Sequence, residues 1–255
     1  MAYLYLSDGT VFEGKGFGYN GDIIGEVVFN TGMTGYQELL TDPSYVGQIV
    51  AMTYPLIGNY GVNSFDTESD GPKVRGFIVR DYSDFPSNWR AETTLDKYLK
   101  DHLIVAIQGI DTRALTRKLR DCGTMNGIIS QEYPTDAQIR ALNKYRIVNP
   151  VREVTARQIY DIKGDGKRVA VIDYGLKRNI LKSLMYMKFD MRVFPASTPA
   201  EKVLDYCPDG ILLTNGPGDP RDNAAEIDEL KKLIGVKPIF GICLGHQLLA
   251  LLYIQ

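Results

Sequence analysis

The sequence is poor in the side chains that build metal and disulfide frameworks. It holds three cysteines, two histidines and one tryptophan in 255 residues. Cys122, Cys207 and Cys243 are widely spaced and odd in number, so neither a disulfide framework nor zinc-ligand spacing is present. His102 and His246 are too few for a histidine-rich metal site, and no metal is expected. No charge of one sign dominates: the formal net charge is −2, which argues against a general binder of nucleic acid or another polyanion. No apolar run reaches membrane-spanning length. The first ten residues lack a basic region and a cleavage site, the pattern expected of a cytoplasmic protein. What is present suffices for a packed core, with 44% hydrophobic against 24% charged residues. The length suits two domains.

Two rhythms divide the chain. Residues 1–150 are rich in glycine, tyrosine and short strand-like runs at 3–6, 26–30, 49–54, 76–79 and 103–107, separated by turn signals such as Ser7-Asp8-Gly9 and Gly58-Asn59-Tyr60-Gly61. One helix is expected to start near Thr94. Another follows Gly109, capped by Asp111 or Thr112. On it Arg113, Arg117 and Arg120 share one face, read as solvated or as a docking surface, and Leu115 and Leu119 face the other way. Residues 151–167 are polar and read as a linker. From Arg168 the rhythm is strict β-α-β-α, with strands at 169–173, 191–194, 210–214 and 238–242 and helices near 177–188, 199–205, 223–234 and 244–253. Continuous apolar strands alternating with helices predict an α/β domain, 168–255, with a parallel sheet covered on both faces. Chemistry in such sheets sits outside the carboxyl ends of the strands.

Two segments fall there. Residues 239–242 read as a buried strand that stops at Cys243, followed by an apolar helix. Gly241 and Gly245 flank the cysteine at two residues on each side, which is the spacing of a G-x-S-x-G nucleophile elbow with sulfur replacing oxygen. The elbow lifts the thiol to the sheet edge and to a helix N-terminus, where the dipole favours an anion. The other segment is Thr214-Asn215-Gly216-Pro217-Gly218-Asp219-Pro220. Its glycines let backbone N–H groups approach a ligand, its prolines stiffen the loop, and it reads as a pre-formed anion site. Cys122 and Cys207 read as small apolar residues at a helix end and a strand start.

Gly241-Ile242-Cys243-Leu244-Gly245-His246-Gln247 together with Asn215-Gly216-Pro217-Gly218-Asp219-Pro220 resembles the class I (triad) glutamine amidotransferases. Residues 29–38 (FNTGMTGYQE), 42–45 (DPSY), 53–63 (TYPLIGNYGVN), 109–116 (GIDTRALT) and 173–179 (DYGLKRN) resemble the small, glutamine-hydrolysing subunit family of carbamoyl phosphate synthetase. The resemblance implies an N-terminal swivelling β/β/α domain followed by an incomplete amidotransferase domain. It implies that Cys243 attacks the glutamine side-chain amide to give a glutamyl thioester and ammonia, and that the N–H groups of Leu244 and Gly216 form an oxyanion hole. Gly218, Gln247 and, from the first domain, Ser44 would hold the glutamine. It implies a heterodimer with a large subunit. That subunit receives the ammonia, binds ATP, magnesium and bicarbonate, and makes carbamoyl phosphate for arginine and pyrimidine biosynthesis. No cofactor is expected on this chain.

One departure stands out. Members of the family continue beyond this point and complete the triad with a His-x-Glu pair, whereas residues 252–255 drift from the family pattern and neither His102 nor His246 matches the triad histidine. His246 lies on the helix just after the nucleophile and is not expected to serve as base. Glutamine hydrolysis by this chain is therefore expected to be impaired, and the alternative reading is a non-catalytic chain that binds the large subunit. An amidotransferase of another pathway would need a different N-terminal half.

Overall fold

The computed structural model describes residues 1–254. The chain divides into two units, Met1–Ile147 and Val148–Gln255. In the first, the elements run β1 (Ala2–Leu6), β2 (Val11–Gly18), β3 (Ile23–Asn30), α1 (Tyr36–Thr41), a 3-10 turn (Pro43–Tyr45), β4 (Gln48–Met52), β5 (Leu56–Ile57), β6 (Gly76–Ile78), β7 (Asp81–Tyr82), α2 (Leu95–Asp101), β8 (Val105–Gln108), α3 (Thr112–Cys122), β9 (Met125–Ser130) and α4 (Asp136–Lys144). Seven strands close into a barrel in the order β1-β2-β8-β6-β4-β3-β9, and β5 pairs with β7 beside it.

Side chains alternate across this wall because strand residues point to opposite faces. Leu4, Leu6, Val27, Ile49, Ala51, Ile78 and Ile107 pack together on one face. Val50, Met52, Phe77 and Ala106 face a second cluster with Leu39 and Leu40 of α1 and Leu95 and Leu99 of α2. Burial on both faces explains why β4, β6 and β8 read as unbroken apolar runs. Both helix starts anticipated from the sequence are present. The Thr94 side chain accepts from the N–H of Lys97, and the Asp111 side chain from that of Ala114. On α3, Leu115 and Leu119 are buried and Arg113, Arg117 and Arg120 are exposed.

The second unit contains α5 (Pro150–Val154), β10 (Tyr160–Ile162), β11 (Arg168–Asp173), α6 (Arg178–Tyr186), β12 (Asp190–Pro195), α7 (Ala200–Leu204), β13 (Gly210–Leu213), a 3-10 turn (Pro220–Asp222), α8 (Ala224–Lys231), β14 (Ile239–Gly241) and α9 (Leu244–Ile254). Its sheet runs β10-β12-β11-β13-β14. The last four strands are parallel, as the β-α rhythm predicts. Ala170, Ile172, Ile211 and Leu213 pack with Val203, Ile227, Leu230, Leu244 and Leu248 of α7, α8 and α9. Val171, Val193 and Leu212 pack against Leu181 and Leu184 of α6 on the opposite face.

Three expectations are corrected. Residues 151–167 are not a linker, and the boundary lies at 147/148 rather than 150. α5 and β10 belong to the second unit, and β10 pairs antiparallel with β12. Its sequence looks polar because it is an edge strand, with Tyr160 and Asp161 exposed; the Asp161 carboxylate takes a two-point hydrogen bond from Arg192 at 2.6 and 3.0 Å. Residues 239–242 are not fully buried. β14 pairs only with β13 among the described residues, and Phe240 is 67% exposed. Cys122 and Cys207 are exposed rather than packed. Cys122 ends α3, while Cys207 sits on a left-handed turn (φ 53°) ahead of β13.

Candidate active site

The register of β11, β13 and β14 gathers three loops at one sheet edge. Ile172 pairs with Leu213, and Leu213 pairs with Gly241. The loops that follow are Tyr174-Gly175, Thr214 to Gly218, and Ile242-Cys243.

Cys243 has φ 51°, the left-handed region. A non-glycine residue held there costs of the order of 1–3 kcal/mol, which surrounding contacts must offset. Those contacts are visible. The Ile242 N–H donates to Leu213 O at 2.9 Å, the Gly245 N–H is shared between Thr214 O and Ile242 O at 3.0 Å, and the Gln247 N–H donates to Cys243 O at 3.0 Å. The two flanking glycines are dictated by space. A β-carbon on Gly241 would lie 2.6 Å from the Gly245 carbonyl carbon, and one on Gly245 would lie 2.5 Å from Leu213 O. This is the strand-to-helix elbow that the glycine spacing predicts, with Cys243 exposed at its tip.

The second loop lies against the elbow. A β-carbon on Gly216 would meet Tyr174 O at 2.3 Å and Leu244 Cδ2 at 2.8 Å. Gly216 and Leu244, both buried, therefore adjoin, and Leu244 directly follows the exposed Cys243 in the chain. Their N–H groups donate to no acceptor among the described residues. Such a pair of backbone donors beside a nucleophile suits an oxygen that gains negative charge. Gly218 (φ 85°) and Gln247 are exposed. Ser44 lies in the first unit, half-buried on the Pro43–Tyr45 turn, where the Asp42 carboxylate accepts from its N–H at 2.9 Å.

The structure adds supporting residues that the motif reading leaves without a role. The Asp173 carboxylate accepts from the N–H groups of Gly175 (2.8 Å), Leu176 (2.7 Å) and Ala156 (2.8 Å). Burial pushes this carboxyl above its usual range, against those three hydrogen bonds. Thr214, fully buried, bridges Tyr174 and Asn215. The Asn215 side chain accepts from the Lys177 N–H at 3.2 Å. A polar residue in an apolar β-strand end, as at Asp173 and Thr214, is the signal that could have found them. At the far end of the loop the Arg221 guanidinium holds the Asp219 carboxyl down to about 2.

Residues 4–129 match the CPSase domain of the carbamoyl-phosphate synthase small chain, and residues 170–254 match class-I glutamine amidotransferase. The carbamoyl phosphate synthase small chain of Clostridium perfringens is 53% identical over 251 residues, covering 98% of this chain and 72% of that one. The pyrimidine-specific small chain of Bacillus subtilis is 51% identical over 250 residues, covering 97% and 69%. The chain belongs to the carbamoyl phosphate synthase small-chain family. The small-chain match falls within the barrel unit and the amidotransferase match within the unit that carries Cys243.

Within this family setting the two histidines are readily located. In the barrel unit, His102 Nδ1 lies 2.9 Å from Tyr98 O and its ring leans on that of Tyr98. His246 is exposed on α9 and makes no hydrogen bond with Cys243 among the described residues. No group of three or more His, Cys, Asp or Glu side chains is arranged to hold a metal ion, and no helix is long and apolar enough to cross a membrane, among the described residues.

Proposed function

We propose that this small chain hydrolyses glutamine through a glutamyl thioester on Cys243 and supplies ammonia to a large subunit. The observation that carries the reading is the left-handed Cys243, raised between Gly241 and Gly245 with the buried Gly216 loop adjoining Leu244. The Cys243 sulfur bonds to the side-chain amide carbon of glutamine, and the carbonyl π pair moves to oxygen. The N–H groups of Leu244 and Gly216 receive that oxyanion. Losing one such donor costs about 3–4 kcal/mol of barrier in comparable sites. When the oxyanion collapses, the carbon–nitrogen bond breaks and the nitrogen leaves as ammonia after taking up the proton that the thiol gave up. Water then cleaves the thioester, releasing glutamate and restoring the thiol. Gly218 and Gln247 hold the glutamine. The barrel unit provides most of the docking to the large subunit, which binds ATP, magnesium and bicarbonate in the cytoplasm and forms carbamoyl phosphate for arginine and pyrimidine synthesis.

A second reading, a non-catalytic chain that binds the large subunit, is favoured by the placement of His102 and His246, neither of which hydrogen-bonds the thiol among the described residues. One experiment separates the two. With a large chain present, the unsubstituted chain supports glutamine-dependent synthesis and Cys243→Ser abolishes it, while ammonia-dependent synthesis survives in both. Binding of the large chain with no glutamine use by the unsubstituted chain selects the second reading. Full glutamine use by the serine variant removes Cys243 from the chemistry.

A further inference from the structure

We infer that the Thr214 hydroxyl is a positioning residue that fixes the direction of the Gly216 N–H toward the oxyanion. The inference rests on the glutaminase reading and concerns a side chain that cannot touch substrate, because Thr214 is 0% exposed. Its hydroxyl accepts from the Tyr174 N–H at 2.9 Å and donates to the Asn215 carbonyl at 2.9 Å. The second bond matters most. The Asn215 carbonyl and the Gly216 N–H belong to one planar trans peptide and point in opposite directions. Pinning the carbonyl therefore aims the N–H. The other donor is aimed in the same way, because the Cys243 carbonyl, which shares its peptide with the Leu244 N–H, accepts from the Gln247 N–H at 3.0 Å.

The same threonine also ties the three loops together. Its carbonyl accepts the Gly245 N–H at 3.0 Å, so one residue touches the β11 loop, the Gly216 loop and the elbow. That carbonyl bond is made by the backbone and would survive substitution. Valine at 214 preserves shape and removes only the hydroxyl, and with it the bond to the Asn215 carbonyl. Serine preserves the hydroxyl.

Two probes of Cys243 distinguish aim from mere folding. Glutamate γ-semialdehyde gives a reversible thiohemiacetal: the sulfur bonds to the aldehyde carbon and the π pair moves to oxygen, which sits where the oxyanion would. Iodoacetamide alkylates the same sulfur by displacing iodide at a saturated carbon and develops no oxyanion. We expect Thr214→Val to weaken semialdehyde binding at least about tenfold, less than the roughly 10²–10³ that outright loss of an oxyanion donor costs, with the iodoacetamide rate at Cys243 unchanged. Thr214→Ser should restore binding. Equal semialdehyde affinity in the valine variant overturns the inference. So does an equal loss with both probes, or a serine variant as weak as valine, since either would mark a structural role only. If the unsubstituted chain takes up no semialdehyde, or Cys243→Ala takes up as much, the glutaminase reading itself fails and this role falls with it.

Discussion

Gly245→Ala drives a β-carbon into space already filled by β13. A β-carbon at Gly245 lies 2.5 Å from Leu213 O and 2.6 Å from Leu213 Cβ, about 0.9 Å inside the 3.4 Å at which ordinary contact begins. Leu213 cannot retreat easily. Its carbonyl already accepts the Ile242 N–H, and β13 is held between β11 and β14. The head of α9 must therefore move, and it carries Cys243 and Leu244. Overpacking of this size costs about 1–3 kcal/mol of stability. A displacement near 1 Å at the reacting atoms costs of the order of a hundredfold in rate. Urea unfolding of the 255-residue chain and glutamine-dependent synthesis with a large chain measure the two effects. Gly210→Ala is the internal comparison, because the nearest atom to its β-carbon is Pro238 O at an ordinary 3.6 Å; it should stay within about 0.5 kcal/mol of the parent. If Gly245→Ala unfolds at the same urea concentration as Gly210→Ala, the elbow is not sterically fixed and the reasoning fails.

Two further outcomes test the surrounding structure. Tyr36→Phe removes a fully buried hydroxyl that donates to Gly61 O at 2.6 Å, and burial pushes the phenol upward so that it stays protonated; the loss should be about 1–2 kcal/mol by chemical denaturation, from the carbonyl left without its donor. Asp219, held down to about 2 chiefly by Arg221, gives stability that is present above its ordinary value of 3.8 and is lost as pH falls toward 2. Carboxyl NMR titration should find that low midpoint, and Arg221→Ala should return it toward 3.8.

Much of this architecture was legible because the deciding signals are local. The parallel strands β11 to β14 carry short apolar runs alternating with helices, and the glycines around Cys243 announce a turn too tight for side chains. The caps Thr94 and Asp111 lie where residue type and spacing put them. The barrel closure was not legible, since β2 and β9 mix glycine and polar residues with short apolar stretches and find their partners across long separations, Lys15 with Gln108 and Tyr3 with Ser130. β10 was misread because an exposed edge strand carries the same polar composition as a linker. In the site, Cys243 and its glycine-rich neighbour stood out, whereas Asp173 and Thr214 did not. Their part is to hold backbone groups in place, and a backbone hydrogen bond leaves little mark on spacing.

The central claim is that Cys243 carries a glutamyl group during turnover. Acid-quenched peptide mass spectrometry of the chain, assembled with a large chain and incubated with glutamine, measures this directly. The account predicts a glutamyl thioester on the peptide containing Cys243 and none on those containing Cys122 or Cys207, although all three thiols are exposed. Glutamine-dependent synthesis with no adduct on Cys243, or with the adduct on another cysteine, would contradict it.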